Sequence, residues 1–345
     1  MQIRNIAEQA GVSIMTVSNV LNAKSKVSQE KRELITRLLL ENGYVPKNPD
    51  SLANHTKNRL IQLYCGDLNV IKTDLFFSSL MSGIISETSA RGYEVLVSSV
   101  EKDENGRYFV NMDQDVDVAG IIITNPRENE DFLADVIKSR IPYVIVGRPA
   151  TSQSRAFYVD IDNVAAAYNA AFHMFERGHR DILFLTGPEG HTLTTDRING
   201  YKMAYRAYDF MAKDEYIINA DYTSESAYEA IKVFLAGGLP ITGVIANTDK
   251  QAIGAMNALH AAGLRVPEDV SLICCAESLL TTSCFPPITG IGVDAVIIGE
   301  QAAGMVIDVI ERRLIIPTHI HLPFTLSERQ TVLPIKNSLH CQELK

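Results

Sequence analysis

Five side chains near the start of the chain, Ile14, Met15, Thr16, Ser18 and Asn19, offer two apolar groups, two hydroxyls and an amide within six residues. These groups can read base edges: an amide suits the N6/N7 edge of adenine, and an apolar side chain suits a thymine methyl. They are useful only if a rigid element presents them together. Residues 3–22 supply one, reading as a helix, a tight turn and a second helix. Ala7 is small where the second helix must cross closely, and Gly11 can take the left-handed backbone that ends the first helix. Ser13 is a candidate N-cap of the second helix, and Val12, Val17, Val20 and Leu21 form its apolar face. The five polar and apolar readers then face outward. This spacing fits a helix lying in a DNA major groove; an ordinary helical hairpin has the same spacing.

Charge is distributed to match. The chain of 345 residues carries −9 overall, yet residues 1–60 hold nine Lys/Arg against five Asp/Glu, a net of +4, which leaves −13 on residues 61–345. A small basic head on an acidic body confines phosphate contact to the head. At 46% hydrophobic and 21% charged the composition is that of a globular protein. No apolar run reaches 18 residues and no basic segment followed by an apolar core opens the chain, so neither a membrane span nor a secretory peptide is expected. Five cysteines without a CxxC pair read as reduced thiols of a cytoplasmic protein. His319 and His321 share one face of a strand, but no further ligand lies nearby in sequence, so no metal is assigned, and no cofactor either.

The head continues into a third helix over residues 28–40, capped by Ser28, and the proline- and polar-rich residues 46–58 read as a linker. Beyond residue 59, short apolar strands (Leu60–Cys65, Glu94–Val100, Gly120–Thr124, Tyr143–Val146, Asp181–Thr186, Gly243–Ala246, Ser271–Cys275) alternate with helices such as Phe76–Arg91, Asn163–Arg177, Ile198–Tyr208, Ser226–Ala236 and Gln251–Ala262. That alternation predicts parallel sheets covered by helices, with ligands at the carboxyl ends of the strands. No phosphate loop, dinucleotide fingerprint or nucleophile elbow occurs, so no enzyme class is indicated.

With these features in place the chain resembles the lactose-repressor (LacI/GalR) family of bacterial transcription regulators. The head carries Ile6-Ala7-Glu8, Ala10-Gly11-Val12-Ser13, Thr16-Val17-Ser18, Val20-Leu21-Asn22 and Gly43-Tyr44-x-Pro46. The body carries Phe76-Phe77, Gly92-Tyr93, Gly178-His179-Arg180, Arg197-x-x-Gly200-Tyr201 and Pro267-x-Asp269-Val270-Ser271. The resemblance implies a small all-α helix-turn-helix head on an α/β periplasmic-binding-protein-like body of two Rossmann-like lobes. The expected divisions are a head over 1–45, a hinge over 46–58, one lobe from 59–160 with 291–322 and another from 161–290 with 323–345. It further implies a homodimer on near-palindromic operator DNA, a small sugar effector between the lobes, and no catalysis. A sugar receptor without a regulatory role, a carbohydrate-modifying enzyme with an accessory head, and a catabolite regulator assisted by a phosphocarrier protein are the other readings.

For DNA the resemblance points to Ile14, Met15 and Asn19 as base readers. Ser13, Thr16 and Ser18 are further contacts, and Lys24, Lys26 and Lys31 are sequence-blind phosphate contacts. Asn19 stands where the family commonly has Arg, a residue suited to guanine. In the hinge, the family leucine that opens the minor groove falls on Ala53, a poor wedge, with Leu52 one position away.

For the effector it points to Asp67, Phe76, Phe77, Arg148, Asp162, Asn163, Arg197, Asn247 and Asp249. The family's usual cleft carboxylate is replaced by Ala276, so Glu277 substitutes from the neighbouring position or the contact is lost. Several segments, among them Thr195-Asp196-Arg197, look most like maltose-operon regulators of Gram-positive bacteria, which favours an α-glucoside effector.

Overall fold

A computed structural model describes residues 3–21, 27–28, 31, 34–35, 38, 59–66, 74–102, 104, 108–109, 117–128, 131–150 and 156–335. The chain divides into two compact units, Met1–Arg59 and Leu60–Lys345.

In the first unit, α1 (Ile3–Gln9) and α2 (Ile14–Leu21) are joined by a four-residue turn. Gly11 takes φ +62°, which lets its N–H reach the Glu8 carbonyl at 3.2 Å while Val12 N–H reaches the Ala7 carbonyl at 2.9 Å. This paired closure satisfies carbonyls that would otherwise end the helix unbonded. Ser13 Oγ accepts from the Thr16 N–H at 3.1 Å and so caps α2. Ile6, Ala7, Val17 and Val20 bury together with Ile35 from the third helical stretch.

The second unit is built from two layered halves. The first sheet comprises β1 (Leu60–Cys65), β2 (Glu94–Ser99), β5 (Gly120–Thr124), β6 (Tyr143–Val146), β7 (Tyr158–Ile161) and β13 (His319–Leu322), in the order β13-β7-β6-β5-β1-β2 with every neighbour parallel. A short antiparallel ribbon of β3 (Glu101–Lys102) and β4 (Tyr108–Phe109) follows β2. The second sheet comprises β8 (Ile182–Thr186), β9 (Ile217–Asn219), β10 (Gly243–Ala246), β11 (Ser271–Cys274), β12 (Thr289–Gly292) and β14 (Thr325–Ser327), in the order β14-β12-β11-β10-β8-β9, with only β14 antiparallel to its neighbour.

The strand sequences explain the layering. Every residue of β5 and β8 is buried, and successive side chains point to opposite faces. Ile122 packs toward α3 (Leu75–Ala90) and α10 (Ala295–Ile310), while Ile121 and Ile123 pack toward α4 (Asp131–Ser139). In the second half, Phe184 faces α5 (Asn163–Glu176) and α6 (Thr192–Ala207), whereas Leu183 and Leu185 face α7 (Ser224–Ala236) and α8 (Asp249–Ala261). Each fully buried aliphatic side chain contributes about 1.5–3 kcal/mol, so strands of this kind anchor both layers. The chain passes between the sheets three times: between Ile161 and Asn163, between Gly292 and Ala295, and between Leu322 and Thr325.

The helices differ from the sequence expectation chiefly at α6, which begins at Thr192 rather than Ile198. His191 gives no side-chain cap there; instead the Thr192 N–H donates to the Pro126 carbonyl at 3.3 Å, a residue of the other half. That partner has no local sequence signal.

Helix pairs on the sheets approach through glycine. A Cβ on Gly200 of α6 would lie 2.1 Å from the Val164 carbonyl oxygen of α5, and one on Gly83 of α3 would lie 2.0 Å from the Val296 carbonyl of α10. Both neighbours are backbone and cannot swing aside. Gly200→Ala is therefore expected to destabilise the body by about 2–3 kcal/mol, read as a drop in melting temperature by scanning calorimetry. An unchanged melting temperature would mean that α5 and α6 can part at no cost.

Candidate functional site

The head presents its candidate DNA face on α2. Ile14 and Met15 are 51% and 73% exposed, unusual for large apolar side chains and consistent with a surface kept for contact. Thr16, Ser18 and Asn19 are half-buried, and Lys31 is exposed. The Ser13 hydroxyl is spent on the helix end and on the Thr16 hydroxyl at 2.9 Å. Lys24, Lys26, Leu52 and Ala53 lie outside the described residues, as does Asp67.

The body gathers its polar side chains where the strands of the two sheets end. Arg197, on the second turn of α6, is 6% exposed. Its Nε donates to Asn163 Oδ1 at 3.0 Å, and its Nη1 donates to the carbonyl and Oδ1 of Asn247 at 2.7 and 2.5 Å. Asn247 follows β10, is fully buried, and leaves its Nδ2 without a partner. Asn163 Nδ2 donates in turn to Asp160 Oδ1 at 3.0 Å. Asp160 also accepts the backbone N–H groups of Arg148 and Ile161, each at 2.7 Å. Burial pushes the Asp160 carboxyl up to about 6, against those two N–H groups and Arg197, with Asp196 reinforcing the rise.

Arg148 follows β6 and reaches across to Asp196 of α6. Its Nε and Nη2 meet the two carboxylate oxygens at 2.7 and 2.9 Å. Asn125, after β5 with φ +58°, accepts from His191 Nδ1 at 2.9 Å. Burial, assisted by Arg127, holds His191 down at about 4 and therefore neutral. Tyr222 adds an aromatic wall. Its backbone takes φ +60°, rare for a non-glycine residue, and its ring lies so close over Gly187 that a Cβ there would come within 2.0 Å. The Tyr222 hydroxyl pairs with Thr194 Oγ1 at 3.1 Å, and the His191 ring meets it edge-on at 6.1 Å.

Arg148, Asn163, Arg197 and Asn247 are thus brought into one connected group. The other sequence candidates are engaged elsewhere. Asp162 is exposed and caps α5 by accepting the Ala165 N–H at 2.8 Å. Phe77 packs against the core, while Phe76 is 39% exposed beside the Asp74 cap of α3. Asp249 accepts from Ser278 Oγ at 2.6 Å. Burial raises the Asp74 carboxyl, with the Phe77 N–H and Lys250 opposing and Asp249 adding to the rise. Glu277 receives Arg329 Nη2 at 2.5 Å, and its other oxygen is buried without a partner. The sequence reading did not single out Asn125, Asp160, His191, Asp196 or Tyr222. Asp196 lies inside the Thr195-Asp196-Arg197 motif and Asp160 two residues before Asp162; Tyr222 sits in a loop with no local signal. Among the described residues no group of three His, Cys, Asp or Glu could hold a metal ion.

A head of this kind and a two-layered body of this kind both have known counterparts. Bacterial regulatory proteins of the lacI family match residues 2–47, and a periplasmic binding protein-like domain matches residues 171–332. The transcriptional repressor CytR of Escherichia coli K12 is 30% identical over 308 residues, 89% of each chain. The chain belongs to the lacI family. The regulator CelR of Thermobifida fusca is 27% identical over 327 residues, 91% of this chain and 95% of that one. A CelR regulator solved as a complex with cellobiose shares the fold, with a TM-score of 0.74, 24% identity, and coverage of 96% of this chain and 99% of that one. This lacI-family chain is a DNA-binding transcriptional regulator, and its relatives are regulators rather than enzymes. No helix among the described residues is long and apolar enough to cross a membrane.

The Asp160 environment has a measurable consequence. Its carboxyl holds a proton in the folded protein up to about pH 6, but in the unfolded chain only to an ordinary value near ~4. Its contribution to stability is therefore fully present below about pH 4 and is lost as pH rises through about 6. Asp160→Asn should remove it. The unfolding free energy of the variant relative to wild type is expected to rise by on the order of 3 kcal/mol between pH 4 and 7, measured by denaturant titration. His173 and His191, both held down at about 4, act with the opposite sign in this window and cancel in the difference. A flat difference would place the carboxyl in water.

Proposed function

We propose that this regulator represses carbohydrate-utilisation genes in the cytoplasm and is gated by a sugar held between the halves of its body, with maltose or another α-glucoside as effector. The observation that carries this reading is the pairing of donors with an aromatic face. Asn247 Nδ2 is buried and unpartnered beside Arg197, and the Tyr222 hydroxyl is paired with Thr194 of α6, the helix that also carries Arg197. A buried donor without an acceptor costs about 1–3 kcal/mol, a cost that a ligand hydroxyl removes. A sugar offers such hydroxyls along with C–H faces that pack on an aromatic ring. Arg197 draws only on neutral amide acceptors, so its remaining N–H groups also suit a polar, uncharged ligand. Arg148 contributes through its hold on Asp196, while Phe76 lies in the first turn of α3 and Asp249 opens α8. The fold shared with a CelR regulator solved as a complex with cellobiose supports a disaccharide-sized ligand.

The division of the body into lobes at about residues 160, 290 and 322 belongs to this reading, because a ligand between lobes can act only by favouring one of their relative positions. So does a second copy of the chain. Ile85, Leu96 and Val97 on one half, with Leu279 and Phe285 on the other, remain exposed, Phe285 at 91%. A dimer covers such residues and sets two heads on two half-sites of an operator. Leu52 or Ala53 of the hinge would then meet the minor groove between them.

Titration calorimetry with maltose, maltotriose, cellobiose, monosaccharides and purines tests the effector. Maltose or maltotriose is expected to bind, and Asn247→Ala or Tyr222→Ala to weaken that binding about tenfold or more. Tight binding confined to a monosaccharide or a purine ends the proposal. On the DNA side, sites selected from random sequence should favour adenine at the step read by Asn19, and Asn19→Ala should relax that step alone. Preference for guanine there, unchanged in Asn19→Ala, would remove Asn19 from base reading.

A further inference from the structure

We propose that Arg148 and Asp196 form a latch that holds the two halves of the body together. The pair crosses from the first sheet to the second: Arg148 leaves β6, and Asp196 rides on α6. Its two parallel N–H···O bonds, 2.7 and 2.9 Å, give the planar, two-point geometry that makes guanidinium–carboxylate pairs strong. The side chains are 31% and 11% exposed, so solvent screens this pair less than a surface one.

Both ends are braced. The Arg148 N–H is held by Asp160 on β7, just before the first crossing, and its carbonyl accepts from Thr192 Oγ1 at 2.8 Å. Its Nη1 donates to the Pro149 carbonyl at 3.0 Å. Around the pair runs a seam joining the loop after β5 to the start of α6. Glu128 N–H donates to the Gly190 carbonyl at 2.7 Å, Thr192 N–H to the Pro126 carbonyl at 3.3 Å, and Thr195 Oγ1 to Glu128 Oε1 at 2.7 Å. The halves cannot separate here without breaking these bonds.

The latch reaches the candidate ligand group through the chain and through Asp160, which accepts both the Arg148 N–H and Asn163 Nδ2. Asp196 and Arg197 are consecutive in α6, so the turn that carries the latch carboxylate also carries the guanidinium bound to Asn163 and Asn247. Asp196 is thus a positioning residue: through Arg148 it holds the turn that carries Arg197. The inference concerns closure of the body and stands whatever the effector is.

Hydrogen exchange on the full-length, ligand-free protein, resolved to single amides, tests it. In Arg148→Ala and in Asp196→Ala, the seam amides of Glu128 and Thr192 should exchange about tenfold faster. The double variant should be no faster than either single one, because each removes the same interaction. Ile122 and Leu183, at the centres of β5 and β8, should keep their wild-type rates. Asp196→Asn preserves size and one acceptor, and should give rates between wild type and Asp196→Ala. Unchanged rates at Glu128 and Thr192 would overturn the latch. So would equal acceleration at Ile122 and Leu183, or additive effects in the double variant.

Discussion

A guanidinium leaves water only when its N–H groups find acceptors, and Arg197 has left it almost completely. Its acceptors are two asparagines far apart in sequence: Asn163 opens α5 and Asn247 follows β10. Placing that cation therefore dictates how α5, α6 and β10 sit together. Asn163 is bound to Asp160, so the same requirement extends into the first sheet. Asp160 tolerates burial because three N–H donors surround it, and because its carboxyl rises to about 6. One buried charge thus organises a chain of hydrogen bonds through the first crossing between the halves.

The layers around this chain have an independent cause. Parallel strands buried on both faces need helices on both sides, and β5 and β8 send alternate residues to different helices. The helices in turn lie close enough that backbone meets backbone at Gly83 and Gly200. Parallel order directs the carboxyl ends of neighbouring strands in each sheet the same way, so Asn125 and Arg148 emerge at one end of the first sheet and Asn247 and Glu277 at one end of the second.

Much of the head was legible because its signals are local. Gly11 and Ser13 end one helix and start the next with partners no more than five residues away. The alternation of strands and helices was equally legible, since both-face burial writes itself as unbroken apolar runs in β5, β8 and β10. Arg197, Asn163 and Asn247 stood out by residue type and position. Tyr222 did not, because its role comes from a left-handed backbone that swings its ring over Gly187. Glu277 was offered as a replacement carboxylate, but its pairing with Arg329 depends on β14 returning beside β12. No spacing near Glu277 announces that return.

The division between sequence and structure follows the range of the interaction. Sequence by itself determined the helix-turn-helix, the strand and helix types and the charge asymmetry, because caps, periodicity and composition act within a few residues. Only the tertiary structure decided where α6 begins, which side chain Arg148 holds, and how Asp160 is protonated. The Thr192 N–H finds its acceptor at Pro126, 66 positions away, and Arg148 finds Asp196 48 positions away. Bonds of that kind form only after two separately built layers have met, so nothing in the neighbouring residues can record them.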